Sequence, residues 1–179
     1  MNPKEQLLNS LLAERDIQRV LLRYCRGVDR ADEELIASCF HPDACDDHGN
    51  WLADGKSVAS HIVRSIQPGS ARAMHFMGNA LVEVEGDTAF AESYILAFRA
   101  YDREGISHTR TRAVRFVDRF ERRAGEWRIS ERVVVDEWNR VDRVVESQDD
   151  TSHFRYGAKD RSDPVYLIRQ GPLARTELK

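Results

Sequence analysis

Apolar residues in the first part of the chain recur at spacings of three and four. Leu7, Leu8, Leu11 and Leu12 are followed by Ile17, Val20, Leu21, Tyr24 and Val28, one stripe along one or two consecutive helices. Asn2-Pro3-Lys4-Glu5 supplies an N-cap side chain, a proline at the first helical position and a glutamate that closes a capping box, so a helix starts there. Gly27 is the expected fraying point. Asp29 or Asp32 caps a following helix carrying Leu35, Ile36, Cys39 and Phe40, which ends at His41-Pro42. Asp43 to Asp54 reads as loop. Asp54 or Ser57 then caps a short helix through Val58, Ile62 and Ile66, closed by the Pro68-Gly69 turn.

Beyond that turn the period falls to two. Gly86-Asp87, the stretch from Asp102 to Gly105, and Ala124-Gly125 divide residues 72 to 138 into four long segments joined by hairpin-sized links, an antiparallel meander. Within Thr109 to Arg122, Val114, Phe116 and Phe120 share one face, and Ala113, Arg115 and Val117 share the other. A strand apolar on both faces wants helices against one side and a cavity or a partner subunit against the other. The expected class is therefore α+β, a bent sheet wrapped around helices. From Asn139 onward no period is sustained, and the domain division predicted is 1–140 for the α+β domain and 141–179 for a tail or lid. Such a tail covers the domain, exchanges with a neighbour at a subunit interface, or stays partly disordered.

Composition narrows the classes. With 179 residues the chain suits one domain, and a 41% apolar, 32% charged composition supports a core but no membrane span. The net charge of −3 offers a polyanion no bulk attraction, so nucleic acid is not expected as a partner. The N-terminal residues lack a secretory h-region, which gives a cytoplasmic location as the expectation. Cys25, Cys39 and Cys45 form no paired motif and are read as reduced thiols. There is no nucleotide fingerprint, phosphate loop, GxSxG elbow or compact metal-ligand spacing, the separation of seven between His41 and His48 included. What remains is acid–base chemistry with no cofactor and no metal.

Several residues can carry it. His75 stands near the start of the first long strand among apolar neighbours in Ala73-Met74-His75-Phe76-Met77. An imidazole sheltered there and oriented by a buried carboxylate is a general base, and Asp29, where the long helix ends, is the candidate carboxylate or an ordinary helix cap. Tyr24 belongs to the apolar stripe, and its hydroxyl needs a partner. His48 reaches the pocket mouth or the solvent. Arg115 clamps a carboxylate or carbonyl in the pocket, or pairs with an acid at a subunit contact.

The runs Arg23-Tyr24-Cys25-Arg26-Gly27-Val28-Asp29-Arg30, Phe40-His41-Pro42-Asp43-Ala44, Met74-His75 with Gly78-Asn79, and Phe116 to Arg123 followed by Gly125-Glu126-Trp127-Arg128-Ile129 resemble the SnoaL-like branch of the nuclear-transport-factor-2-like superfamily. The resemblance spans residues 12 to 140. It implies a cystatin-like cone, with N-terminal helices packed in the concave face of a curved antiparallel sheet and a ligand pocket between them. Within the branch the chain looks like the bile-acid dehydratases, scytalone dehydratases and hexachlorocyclohexane dehydrochlorinases. That likeness implies a working dyad of Asp29 and His75, with Tyr24 beside it. Arg132 is the closest match to a basic residue from a late strand, and His108 is the candidate for a second pocket histidine. The activity implied is a cofactor-independent lyase (a dehydratase, or a related elimination or retro-aldol enzyme) or isomerase acting on a hydroxylated hydrophobic small molecule (a steroid, polyketide or aromatic), in a homo-oligomer, a dimer or trimer. The alternative is a non-catalytic ligand-binding module, or an assembly protein like the β-subunit of ring-hydroxylating dioxygenases.

Overall fold

A computed structural model describes residues 2–66, 70–145 and 154–171, with the backbone alone at 70 and 71. Helix α1 (Pro3–Arg30) starts at the capping box: Asn2 accepts from the Glu5 amide, and Glu5 accepts from the Asn2 amide. It runs through Gly27 and ends only at Ala31, which takes the left-handed conformation at φ 51°. Gly27 is therefore not a fraying point but a close approach, since a β-carbon there would meet Ile36 Cγ1 at 2.8 Å. Ile36 belongs to α2 (Glu33–Ala37), capped by Asp32 rather than Asp29. Ala13, Ile17, Val20, Leu21, Tyr24 and Val28 are buried, whereas Leu7, Leu8, Leu11 and Leu12, on the same periodic stripe, stand exposed on the first turns.

The second helix stops at Ala37, short of the predicted end at His41-Pro42, and Phe40 instead opens strand β1 (Phe40–Asp47), which with β2 (Leu52–Asp54) occupies much of the segment predicted as loop. The Pro42 and three aspartates of β1 are poor strand formers, which hides the strand from sequence patterning. Pro42 is tolerated because the pairing of β1 shifts register between Phe40 and Cys45. Helix α3 (Val58–Ile66) follows, after Asp54 accepts from the amide and hydroxyl of Ser57. The predicted Pro68-Gly69 turn lies outside the described residues.

Four long strands complete the sheet: β3 (Ser70–Glu85), β4 (Thr88–Arg103), β5 (Ile106–Arg123) and β6 (Glu126–Arg143). Each successive pair is antiparallel and joined by a two-residue link. At Glu104-Gly105 and Ala124-Gly125 both link residues have positive φ, the turn whose twist matches a hairpin. The strand order is β2-β1-β6-β5-β4-β3, and β1 lies parallel to β6, so the curved, open sheet is mixed rather than wholly antiparallel. Otherwise the α+β cone is as the pattern and the resemblance predict. The buried faces of α1, α2 and α3 pack with Ile95, Val114, Phe116 and Phe120 of the concave side into one core. Residues 154–171, with the short helix α4 (Pro164–Leu167), lie against the end of α1 and against α2. Among the described residues no helix is long and apolar enough to cross a membrane.

Candidate functional site

Asp29 occupies the last turn of α1, where the helix meets β3. Its two oxygens are both used: Oδ2 accepts from the backbone amide of His75 at 3.0 Å, and Oδ1 lies 2.7 Å from His75 Nδ1. The side chains are 11% and 16% exposed, so the pair is largely shielded from water. The double contact fixes both the strand position and the ring. An ionised carboxylate only accepts, so Nδ1 carries the proton in that bond, and in the neutral ring the lone pair is on Nε2.

His75 lines a cavity of about 320 Å³ between the helices and the concave face. Tyr24 and Val28 of α1, Ile62 and Ile66 of α3, and Val114 and Phe116 of β5 form much of its apolar wall. His48 and Trp51, on either side of the β1–β2 turn, close another side. His48 forms a second histidine–carboxylate pair, with Nδ1 2.8 Å from Oδ1 of the fully buried Asp46. Its ring stacks on Trp51 at 4.1 Å, and Trp51 lies 4.3 Å from the His61 ring. Asp46 is an acid that sequence reasoning missed. It lies near the end of β1 and His48 is the first residue beyond it, two positions on, so the spacing carries a signal only once the strand is known to run to Asp47.

Tyr24 is 2% exposed and meets Phe40 and Phe116 edge-on, with centroids 5.8 and 5.6 Å away. Burial pushes its phenol well above the usual range, so it stays protonated and able to donate. The helix carrying Tyr24 and Asp29 is continuous, and the two side chains sit on different sides of it: Tyr24 faces the core and the cavity, and Asp29 faces β3.

Three predicted binding residues lie elsewhere. Arg132 is completely buried behind the cavity wall. Asp118 takes its Nε at 2.7 Å and Nη2 at 2.8 Å, and its guanidinium lies 4.2 Å from the Tyr24 ring centroid and 4.1 Å from that of Phe116. It is a structural ion pair supporting Tyr24, not a group exposed to a ligand. Arg115 projects from the opposite face of β5, between Glu137 and Glu92 at 2.6 Å each, because its position is one residue out of phase with Val114 and Phe116. The carboxylates it meets belong to its own chain. His108 shares the concave face but sits opposite Tyr101, two cross-strand rows beyond the His75–Ala97–Arg112 row. It binds the Ile106 carbonyl at 2.8 Å and stacks on Tyr101, clear of the cavity. His41 is likewise engaged, its Nε2 2.9 Å from the Glu121 carbonyl.

A family model described as the SnoaL-like domain matches residues 9–133. No curated protein matches the sequence. Among solved structures, a type 2 hexachlorocyclohexane dehydrochlorinase, LinA, superimposes with a TM-score of 0.69 at 20% identity, covering 82% of this chain and 99% of that one. A protein from Novosphingobium aromaticivorans provisionally assigned as a scytalone dehydratase gives 0.65 at 20% identity over 73% of this chain and 88% of its own. A protein from the same organism, provisionally assigned as the β subunit of an aromatic-ring-hydroxylating dioxygenase, gives 0.59 at 23% identity over 72% and 92%. At such identities the likeness is one of fold, shared by proteins described as a dehydrochlorinase, a scytalone dehydratase and a dioxygenase β subunit alike.

Proposed function

Because the chain belongs to the SnoaL-like domain family, we propose that it is a cofactor-independent lyase or isomerase whose substrate is a hydroxylated, largely apolar small molecule. The observation that carries this reading is the Asp29–His75 pair at the wall of a cavity that is apolar along α1 and α3, with Nδ1 bound and Nε2 left for a substrate. In the elimination, Nε2 takes a proton from a carbon made acidic by a neighbouring carbonyl. The C–H electrons become the new double bond as the carbon–oxygen bond breaks, and the imidazolium formed is stabilised by Asp29. The departing hydroxyl leaves as water once it has gained a proton, and His48, held by Asp46 on another wall of the cavity, is the group placed to give it. The Tyr24 hydroxyl donates a hydrogen bond to the enolising oxygen. In an isomerisation the proton instead returns to a different carbon.

An assembly role would use the same cone but has no need of a shielded dyad. The experiment is a screen of β-hydroxy ketones on steroid, polyketide and aromatic frameworks, following the absorbance of the conjugated product, with His75→Gln run beside the wild type. Turnover is expected to fall by ~10² to 10⁴-fold in the folded variant. Survival within a few-fold defeats the proton-abstraction assignment. We assign the assembled form as a homo-oligomer in the cytosol, joined through the outer sheet face that bears the exposed Phe76, Tyr94 and Trp138.

A further inference from the structure

Three arginines lie on the concave face at one end of the cavity, and all three line it: Arg99 on β4, and Arg110 and Arg112 on β5. Arg99 and Arg110 are direct cross-strand partners, so two like charges stand opposite one another, an arrangement that is unfavourable unless something compensates it. Arg112 is committed to Asp136, through Nε at 3.1 Å and Nη2 at 2.9 Å. Arg99 donates Nη2 to the Ile66 carbonyl at 3.3 Å, and burial together with Arg110 holds its guanidinium below the ordinary value. Among the described residues Arg110 has neither a hydrogen-bond nor an ion-pair partner. The residues lining the cavity include no Asp or Glu, since Asp29 and Asp46 act from behind their histidines. Arg110 also acts on Asp136, the carboxylate that Arg112 already holds, so on a chain of net charge −3 this wall keeps a local excess of positive charge over the acid nearest to it.

We infer that the cavity takes a substrate whose apolar body carries an anionic oxygen group, such as a carboxylate, bound by Arg110 with Arg99 beside it. This rests on the reading of the cavity as the ligand site and names the substrate class. The planar guanidinium suits a carboxylate or sulfonate, binding two of its oxygens at once. The register sets the spacing. His75, Ala97 and Arg112 form one cross-strand row, and Arg99 and Arg110 form the next. With strands about 4.8 Å apart and about 3.4 Å per residue, the Cα atoms of His75 and Arg110 are roughly 12 Å apart. The side chains reach inward from both ends of that span, so the anionic group and the acidic C–H lie at opposite ends of one small molecule.

Titration of the full chain with anilinonaphthalene sulfonate and with uncharged phenylnaphthylamine tests this, since the two dyes share an apolar body and differ in the sulfonate. The sulfonate is expected to bind about tenfold more tightly, the difference one charge-assisted contact makes. Arg110→Gln should remove that advantage, leave phenylnaphthylamine binding as it is, and melt no lower than wild type because a like-charge pair is relieved. Arg110→Lys should retain most of it. Equal affinity for the two dyes, or an unchanged sulfonate affinity in Arg110→Gln, overturns the inference. Inorganic phosphate is the competitor that separates an anion on an apolar body from a free anion: displacement of the sulfonate at matched concentration would mean a free-anion site and also overturn it. A change at His75 on the cavity wall acts on both dyes alike and leaves their affinity ratio as in wild type, so a failure of the proton-transfer reading shows in turnover and a failure of this one shows in that ratio.

Discussion

At the scale of single residues the site is decided by what each polar group has for company. Asp29 is bound twice by His75, through the backbone amide and Nδ1, and that arrangement fixes one imidazole by an acid from a distant part of the chain. Asp29→Asn keeps the size but turns an acceptor-only group into one that can also donate, so the imidazole loses its fixed tautomer and its stabilising charge. Its turnover is expected to fall at least a hundredfold with the melting temperature little changed, as steady-state assays and calorimetry on one preparation would reveal. Arg132 presents the opposite case. Its side chain and that of Asp118 are both 0% exposed, and deleting one partner strands the other charge in the core. Asp118→Ala should lower the unfolding free energy by about 3–5 kcal/mol in urea titrations, and the paired replacement Asp118→Leu with Arg132→Met should recover most of the loss. An arginine reserved for substrate would show the reverse pattern, with stability kept and turnover lost. His75 and Asp29 were legible in the sequence because shelter by apolar neighbours and the end of a long helix both leave local traces. Asp46 was not, because its burial depends on the pairing of β1 with β2 and β6, which no local pattern announces.

At the scale of elements, the long periodic segments were readable and the short irregular ones were not. The four long strands and their two-residue turns follow from alternation and from Gly86, Gly105 and Gly125. Strand β1 did not announce itself, since it is stabilised by pairing with β6 rather than by its own composition. The C-terminal segment is held by a compact set of polar contacts. Asp163 accepts from the amides of Val165 and Ala158 and pairs with Arg30 at 2.8 Å, while the Tyr166 hydroxyl donates to Asp32 at 2.6 Å. Burial alone would raise the Asp163 carboxyl, but those amides and Arg30 outweigh it and hold the group below its usual value of 3.8. A lowered native value means that docking is at full strength above pH 3.8 and is lost as the pH falls through that lowered value. Asp163→Asn mimics the acid state at neutral pH. Trypsin is therefore expected to cut after Arg161 and Arg169 sooner in the variant than in wild type, and pepsin in acid should release the segment from both equally.

At the scale of the whole molecule, the sheet has two apolar faces and the helices cover one of them. On the other, Phe76 is 59% exposed and Trp138 52%, and with Tyr94 they border a hollow of about 630 Å³. If copies of the chain meet there, Phe76→Lys with Trp138→Lys should reduce the mass measured by light scattering to that of one chain of 20.6 kDa while the circular dichroism spectrum stays the same. A wild type that is already monomeric would remove this face as the junction. By itself the sequence determined which of the long segments are helix and which are strand, that one concave core would form, and that an acid and an imidazole were available to it, because periodicity and capping act over a few residues and are written locally. Only the tertiary structure decided that Arg115 turns outward, that Arg132 is sealed beneath Tyr24, that Asp46 stands behind His48, and that Arg110 lines the cavity while the nearby Asp136 is held by Arg112. Each of those outcomes depends on sheet register and burial, which are set by residues far apart in the chain.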